Sequence, residues 1–203
     1  MPQRQVPLVA GEYYHIYNRG NNRQRIFFAR ENYLFFLRRV REYLMDQTSE
    51  VPETSDVFHA SGTIVAYCLM PNHFHLLLAP CDDALSRRMQ RLLISYTKAM
   101  NERYQRTGSL FEGQFQAARV DNDEYLLHLS RYIHLNPVLA GLVLRPQDWE
   151  FSSYREFIGV RSGTLPCPEL VLAQLGGPAD YRAFVEAYQP RDRDKIAGLQ
   201  FDE

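Results

Sequence analysis

Two runs of strand-forming residues lie back to back in the middle of the chain, Thr63-Ile64-Val65-Ala66-Tyr67-Cys68-Leu69-Met70 and His73-Phe74-His75-Leu76-Leu77-Leu78-Ala79, with only Pro71-Asn72 between them. Proline and asparagine supply a tight turn or bulge, so the pair reads as a buried strand and the strand that returns beside it. The returning strand carries His73 and His75 on either side of Phe74. Side chains alternate faces along a strand, so the two imidazoles share one face and Phe74 takes the other. Two nitrogen donors held side by side on a rigid element suit a divalent metal.

The flanking segments complete a pattern. Residues 12–18 are aromatic and β-branched and read as a first strand, ended by the turn chemistry of Asn18-Arg19-Gly20-Asn21-Asn22-Arg23. From about Arg30 to Met45, Tyr33, Leu34, Phe36, Leu37, Val40, Tyr43 and Leu44 recur at helical spacing. Residues 47–57 are polar and acidic and predict a surface loop, with His59 beside it. A second amphipathic helix is expected from Asp82 to about Tyr104, with Leu85, Met89, Leu92, Leu93, Tyr96 and Met100 inward and Arg87, Arg88, Arg91 and Lys98 outward. A short strand follows near residues 115–120. Asp121 or Asn122 can cap a further helix that runs to about Leu135, because Pro137 disfavours helical backbone at Asn136.

The order β-α-β-β-α-β plus one more helix predicts an α+β, ferredoxin-like antiparallel sheet with two helices on one face. It places the paired histidines on the third strand, near the sheet centre. Beyond Trp149 only two short helical patterns appear, near 168–175 and 179–188, before a polar tail. The expected organisation is one domain over residues 1–158 and a C-terminal helical extension over 159–203.

The extra helix contains Ser130-Arg131-Tyr132-Ile133-His134-Leu135-Asn136-Pro137. Spacing of four puts His128, Tyr132 and Asn136 on one stripe, with Ile133 and His134 pointing elsewhere. Docked against the histidine-bearing face, Asn136 would offer an amide oxygen as third ligand and Tyr132 a phenol one turn away. Otherwise Tyr132 is a half-buried cover and Asn136 a helix cap. Tyr125, upstream on the same helix, is the rival phenol. His15 reads as a core or DNA-facing histidine, and Glu112 as a solvated loop carboxylate.

Net charge is −1, yet the charges are segregated. Residues 1–43 carry eight Arg against three acids, and residues 61–119 carry seven bases against four. Of 23 basic residues 21 are Arg, whose planar fork matches phosphate and stacks on bases. A local basic face is what phosphate binding requires. Arg19, Arg23 and Arg25 after the first strand, Arg87 and Arg91 on the second helix, and Arg119 on the last strand are the candidate DNA contacts. No run of about 18 apolar residues exists to span a membrane. The first residues lack the apolar stretch of a secretory signal, and three scattered cysteines fit a reducing compartment, so a cytoplasmic protein is expected.

Several stretches together resemble the single-tyrosine HUH transposases, and most closely the REP-associated tyrosine transposase family. They are Tyr13-Tyr14-His15-Ile16-Tyr17-Asn18-Arg19-Gly20, Met70-Pro71-Asn72-His73-Phe74-His75-Leu76, Gly108-Ser109-Leu110-Phe111-Glu112-Gly113-Gln114-Phe115, Tyr132-Ile133-His134-Leu135-Asn136-Pro137-Val138 and the segment from Trp149 to Tyr154. They span roughly residues 12 to 158 in the family's order. The family often has a basic residue where Gln114 stands here. The resemblance implies that His73, His75 and Asn136 bind Mg²⁺ or Mn²⁺ and that Tyr132 is the nucleophile. It further implies cleavage and rejoining of single-stranded DNA, near hairpins or palindromic repeats, through a 5′-phosphotyrosine, by a monomer. Two rivals stand beside this reading. One is a metal-dependent phosphoesterase that uses water, and the other is a ferredoxin-like nucleic-acid-binding module whose histidines are structural.

Overall fold

The computed structural model describes residues 7–45 and 62–192. The predicted acidic loop at 47–57, His59 and the polar tail from 193 lie outside the described residues. Four strands, β1 (Tyr13–Arg19), β2 (Thr63–Met70), β3 (His73–Ala79) and β4 (Gln116–Val120), form one antiparallel sheet in the order β2-β3-β1-β4. This is the expected ferredoxin-like topology, and β3 is one of its two central strands. Asn72 accepts a backbone bond from Gly20 (2.7 Å), so the β2–β3 turn is fastened to the end of β1.

Two helices cover the Phe74 face, α1 (Arg30–Val40) and α2 (Leu85–Arg103). Phe36 of α1 and Tyr96 of α2 meet at 5.0 Å in a T-shaped contact, and Phe36 also lies 5.0 Å from Phe74. After Val40 the first helix widens into a π-helical turn at Arg41–Met45, so the expected element is present but not regular to its end.

The histidine face is covered by α3 (Asp123–Leu139), capped by Asn122, whose side chain accepts from Tyr125 N. This helix was expected to end near Leu135, but Pro137 lies inside it and the last turn closes through Ala140 N to Asn136 O (2.9 Å). The local cost of proline is overridden because residues 128–137 are buried almost throughout, and tertiary packing sustains the turn. Behind α3 pack α4 (Tyr154–Phe157), α5 (Glu169–Leu172) and α6 (Pro178–Glu186). Val171, Tyr181 and Val185 share one buried cluster with Tyr132, so the segment after residue 158 builds no separate core.

Residues 151–153 cover the open edge of β2. Leu69 N donates to Phe151 O (2.9 Å), Ser153 N to Tyr67 O (3.0 Å) and Trp149 Nε1 to Leu69 O (3.0 Å). An unpaired edge strand is a template for unwanted pairing, and this segment removes it. Buried hydrogen bonds then tie α6 to α3 and to β2. Tyr181 OH joins Ser130 Oγ (2.9 Å) and His134 Nδ1 (2.7 Å), His134 Nε2 joins Ser153 Oγ (2.8 Å), and Ser153 Oγ accepts from Tyr67 N (2.9 Å). Tyr181→Phe keeps the ring but leaves Ser130 and His134 each short of a partner. It is expected to cost about 1–3 kcal/mol, read as a lower denaturant midpoint with an unchanged slope.

Candidate active site

The strand register brings Arg19, Tyr17 and His15 of β1 onto the same face as His73 and His75, with Met70 and Cys68 of β2 on the other side. His75 is fully buried and His73 nearly so. His73 Nδ1 meets Asn72 Oδ1 at 2.7 Å, and Asn72 Nδ2 donates to Arg23 O, which fixes the amide's orientation. The imidazole must therefore donate from Nδ1, and a neutral ring then carries its lone pair on Nε2. His75 Nδ1 pairs with His15 Nε2 (2.9 Å). In each ring Nδ1 is occupied by the sheet, and Nε2 is the nitrogen left to address α3.

Asn136 comes down onto these rings from α3. Its Nδ2 donates to Tyr132 O (3.0 Å), so Oδ1 is the atom directed to the histidines. That oxygen is buried and makes no hydrogen bond of ordinary geometry, although the amide reaches both His73 and His75 closely enough to favour their charged forms. Burial wins over that favour. It pushes His73 down to about 4, helped by the Arg19 charge, and holds His75 well below the usual imidazole range. Both rings are neutral at physiological pH. Tyr132 is buried beside them, its ring 6.0 Å from that of His75 in a T-shaped arrangement.

Two imidazole nitrogens and one amide oxygen converge here, a mixed N/O donor set that fits Mn²⁺ or Mg²⁺ better than a soft ion. Among the described residues no three His, Cys, Asp or Glu side chains cluster to hold a metal, so the amide is essential to such a site. Cys68 lies directly across from His75, but burial raises its thiol well above the ordinary range and keeps it protonated.

Over His73 opens a cleft of about 400 Å³, lined by Arg19, Arg23, Arg25, Met70, Pro71, Asn72, His73, Ala140 and Leu142. The three arginines expected after the first strand therefore stand at the mouth of the histidine site. Arg19 is ion-paired with Glu112, whose carboxyl it holds below the usual range. Gly20 is required behind them, since a Cβ there would sit 2.0 Å from Gln24 O. The other basic candidates lie apart. Arg87 lines a larger cleft, about 620 Å³, between α2 and the 109–115 loop, where Gln114 also stands. Arg91 is exposed on α2, and Arg119 pairs with Glu12 and is in register with Tyr14 on the Phe74 face. The sheet separates these from the histidines.

One expectation about an individual residue changes and another is sharpened. His128 leaves the Tyr132–Asn136 stripe: Arg131 Nη2 donates to its Nδ1 (2.9 Å) and its ring lies against Phe184 of α6. At 3.6 residues per turn, eight positions drift about 80° around a helix, enough to turn His128 away from the sheet. His15 is a core histidine, as one of its two readings has it, and its Nε2 pairs with His75 Nδ1. Its shared face was visible in the strand alternation; its diagonal partner required the β1–β3 register.

Burial also pushes His134, behind the site, down to about 3. An ordinary histidine titrates near ~6.5, so below that pH the unfolded chain binds protons that folded His73 and His134 refuse. Their stabilising contribution is complete above about pH 6.5 and shrinks by up to ~1.4 kcal/mol per histidine per unit as pH falls towards 4. Chelator-treated protein is expected to show a falling denaturant midpoint from pH 6.5 to 4.5, with a shallower fall in His134→Gln.

Known proteins are similar to this chain in sequence and in fold. Residues 9–136 match the family model described as transposase IS200 like. A Haemophilus influenzae protein named as a REP-associated tyrosine transposase is 28% identical over 129 residues, covering 57% of this chain and 73% of that one. The REP-associated tyrosine transposase of Escherichia coli is 28% identical over 93 residues, covering 45% of this chain and 53% of its own length. A solved REP-associated tyrosine transposase bound to a REP hairpin superposes with a TM-score of 0.61 at 18% identity, over 82% of this chain and 98% of that one, which supports the fold.

Proposed function

The chain belongs to the IS200-like transposase family, and from that premise we propose that it cuts and rejoins single-stranded DNA at hairpin-forming repeats, through a 5′-phosphotyrosine on Tyr132 and with a divalent metal on His73, His75 and Asn136. The observation that carries this reading is the convergence of Asn136 on both imidazoles, with Tyr132 on the same helix beside His75, under an arginine-lined cleft. The relatives' names and the hairpin bound by the structural neighbour support the choice of substrate. All the proposed active-site groups come from one chain, which fits a monomer.

When bound, the metal would draw charge from the phosphate oxygens and lower the barrier to attack. The residues do the rest. Arg23 and Arg25 draw the strand's phosphates to the cleft, and His73 and His75 stay neutral and fixed by their Nδ1 partners. Tyr132 Oη forms a bond to phosphorus as the bond to the 3′ oxygen breaks; the phenol proton is released and the 3′ oxygen leaves as a hydroxyl. One phosphodiester replaces another, so the reverse reaction rejoins strands without ATP.

The test uses 3′-labelled hairpin oligonucleotides with randomised single-stranded flanks and Mn²⁺. Label retained on denatured protein is the expected result. Cleavage without an adduct would indicate the water-using phosphoesterase, and retention without cleavage a binding module. A second expectation concerns His15. Groups that orient a metal ligand through its other nitrogen are worth about 10–100-fold in affinity, so His15→Phe should weaken Mn²⁺ binding by that factor in a direct titration while the fold persists.

A further inference from the structure

We propose that Leu142 and Leu144 form an apolar wall that receives an unpaired base of the strand in the cleft, facing the arginine wall that takes its phosphates. This rests on the reading of the site as one that handles single-stranded DNA. Three of the large apolar side chains that stand in solvent fall within six residues, Leu139 at 41%, Leu142 at 43% and Leu144 at 93% exposure. Leu139 closes α3, the helix that carries Tyr132 and Asn136, and Leu142 and Leu144 follow it; Leu142 lines the cleft beside Ala140.

The turn that presents them is well defined. Gly141 N donates to Val138 O (2.9 Å) and Leu142 N to Pro137 O (2.9 Å), and Gly141 adopts the left-handed conformation (φ +67°) that reverses the chain. Leu142 and Ala140 line the same cleft as Arg19, Arg23, Arg25 and His73. The cleft's volume, about 400 Å³, is within the range of ligand-sized sites.

The chemistry of the two walls identifies the occupant. A nucleotide strand is amphiphilic, with charge along its phosphate edge and broad apolar faces on its bases. Guanidiniums on one side and leucines on the other match both edges at once. A simple anion would use only the first wall and an apolar peptide only the second. In a duplex the base faces are stacked inside the helix and cost free energy to expose, so a leucine wall favours an unpaired base. Leu142 and Leu144 therefore help restrict the cleft to single strands, in addition to placing the base next to the phosphate.

The probe is a 12-residue thymidine single strand with one central 2-aminopurine, compared with a 12-base-pair duplex of mixed sequence. Binding to the Tyr132→Phe protein with Mn²⁺ is measured for Leu144→Ser and for Leu142→Ser/Leu144→Ser. Leu144 is almost wholly in solvent, so its replacement spares the fold. The expected result is a loss of about tenfold in single-strand affinity, equivalent to ~1.4 kcal/mol, and loss of the aminopurine fluorescence change, with duplex affinity unaltered. Equal single-strand affinity and fluorescence in both variants would overturn the proposal. So would a wild-type dimer that the double variant converts to monomer, since the leucines would then be a self-association surface. Neither readout depends on cleavage. Failure of the underlying reading shows separately, as absence of any adduct from the wild-type protein with the hairpin library.

Discussion

Tyr132→Phe abolishes the covalent protein–DNA adduct and leaves hairpin affinity within about threefold of wild type; that is the largest single effect expected of any substitution here. The change removes one oxygen from a buried side chain and keeps the ring that packs at 6.0 Å against His75. The ring contact with His75 and the backbone carbonyl that accepts from Asn136 Nδ2 are both kept. Removing a nucleophile that acts as a unit with its surroundings typically costs on the order of 10⁴-fold or more in rate, so no adduct accumulates on any practical timescale. The measurement is paired: retention of labelled hairpin on a native gel, and retention of label after denaturation. Persistence of the denaturation-resistant band in Tyr132→Phe would move the nucleophile to another residue. Tyr125, half-buried in the first turn of α3, would be the first to examine.

His75→Ala carries the second large effect. His75 is fully buried, accepts or donates one hydrogen bond to His15 and lies within reach of Asn136. Its removal deletes one of three donors and leaves His15 without that partner inside the protein, at a cost of about 1–3 kcal/mol in stability. Mn²⁺ affinity is expected to fall at least about 100-fold and adduct formation with it, while the arginine cleft still holds DNA. Asn136→Asp is the matched control. It keeps an oxygen in place and adds charge, so Mn²⁺ binding survives, whereas Asn136→Ala loses it. Equal Mn²⁺ affinity in wild type and His75→Ala would remove the metal from this site altogether.

The parts of this structure that obey a local period were legible in the chain. Alternation alone put His73 and His75 on one face and Phe74 on the other, and the β-α-β-β-α-β order placed β3 at the centre. Tyr132 and Asn136 share a helix face because four residues make about one turn. What could not be read depends on register or on distant packing. The pairing of His15 with His75 is diagonal across two strands that are 60 residues apart, and neither strand specifies the offset. Arg119 is a candidate DNA contact by charge alone, but opposite Tyr14 it faces the other side of the sheet from the histidines. The continuation of α3 through Pro137 reflects the burial of residues 128–137 between the sheet and the segments that follow, whose own short helices carry weak signals. For the same reason the role of the residues after 158, completing the core behind α3, was not visible in a segment that reads as an extension.

The most direct test of the central claim is to locate the covalent bond. Wild-type protein is reacted with a hairpin substrate and Mn²⁺, digested with protease and nuclease, and its peptides sequenced by tandem mass spectrometry. The prediction is a 5′-linked nucleotide mass on Tyr132 that disappears in both His75→Ala and Asn136→Ala. A nucleotide on Tyr125 or any other side chain, or cleaved DNA with no modified peptide, would contradict it.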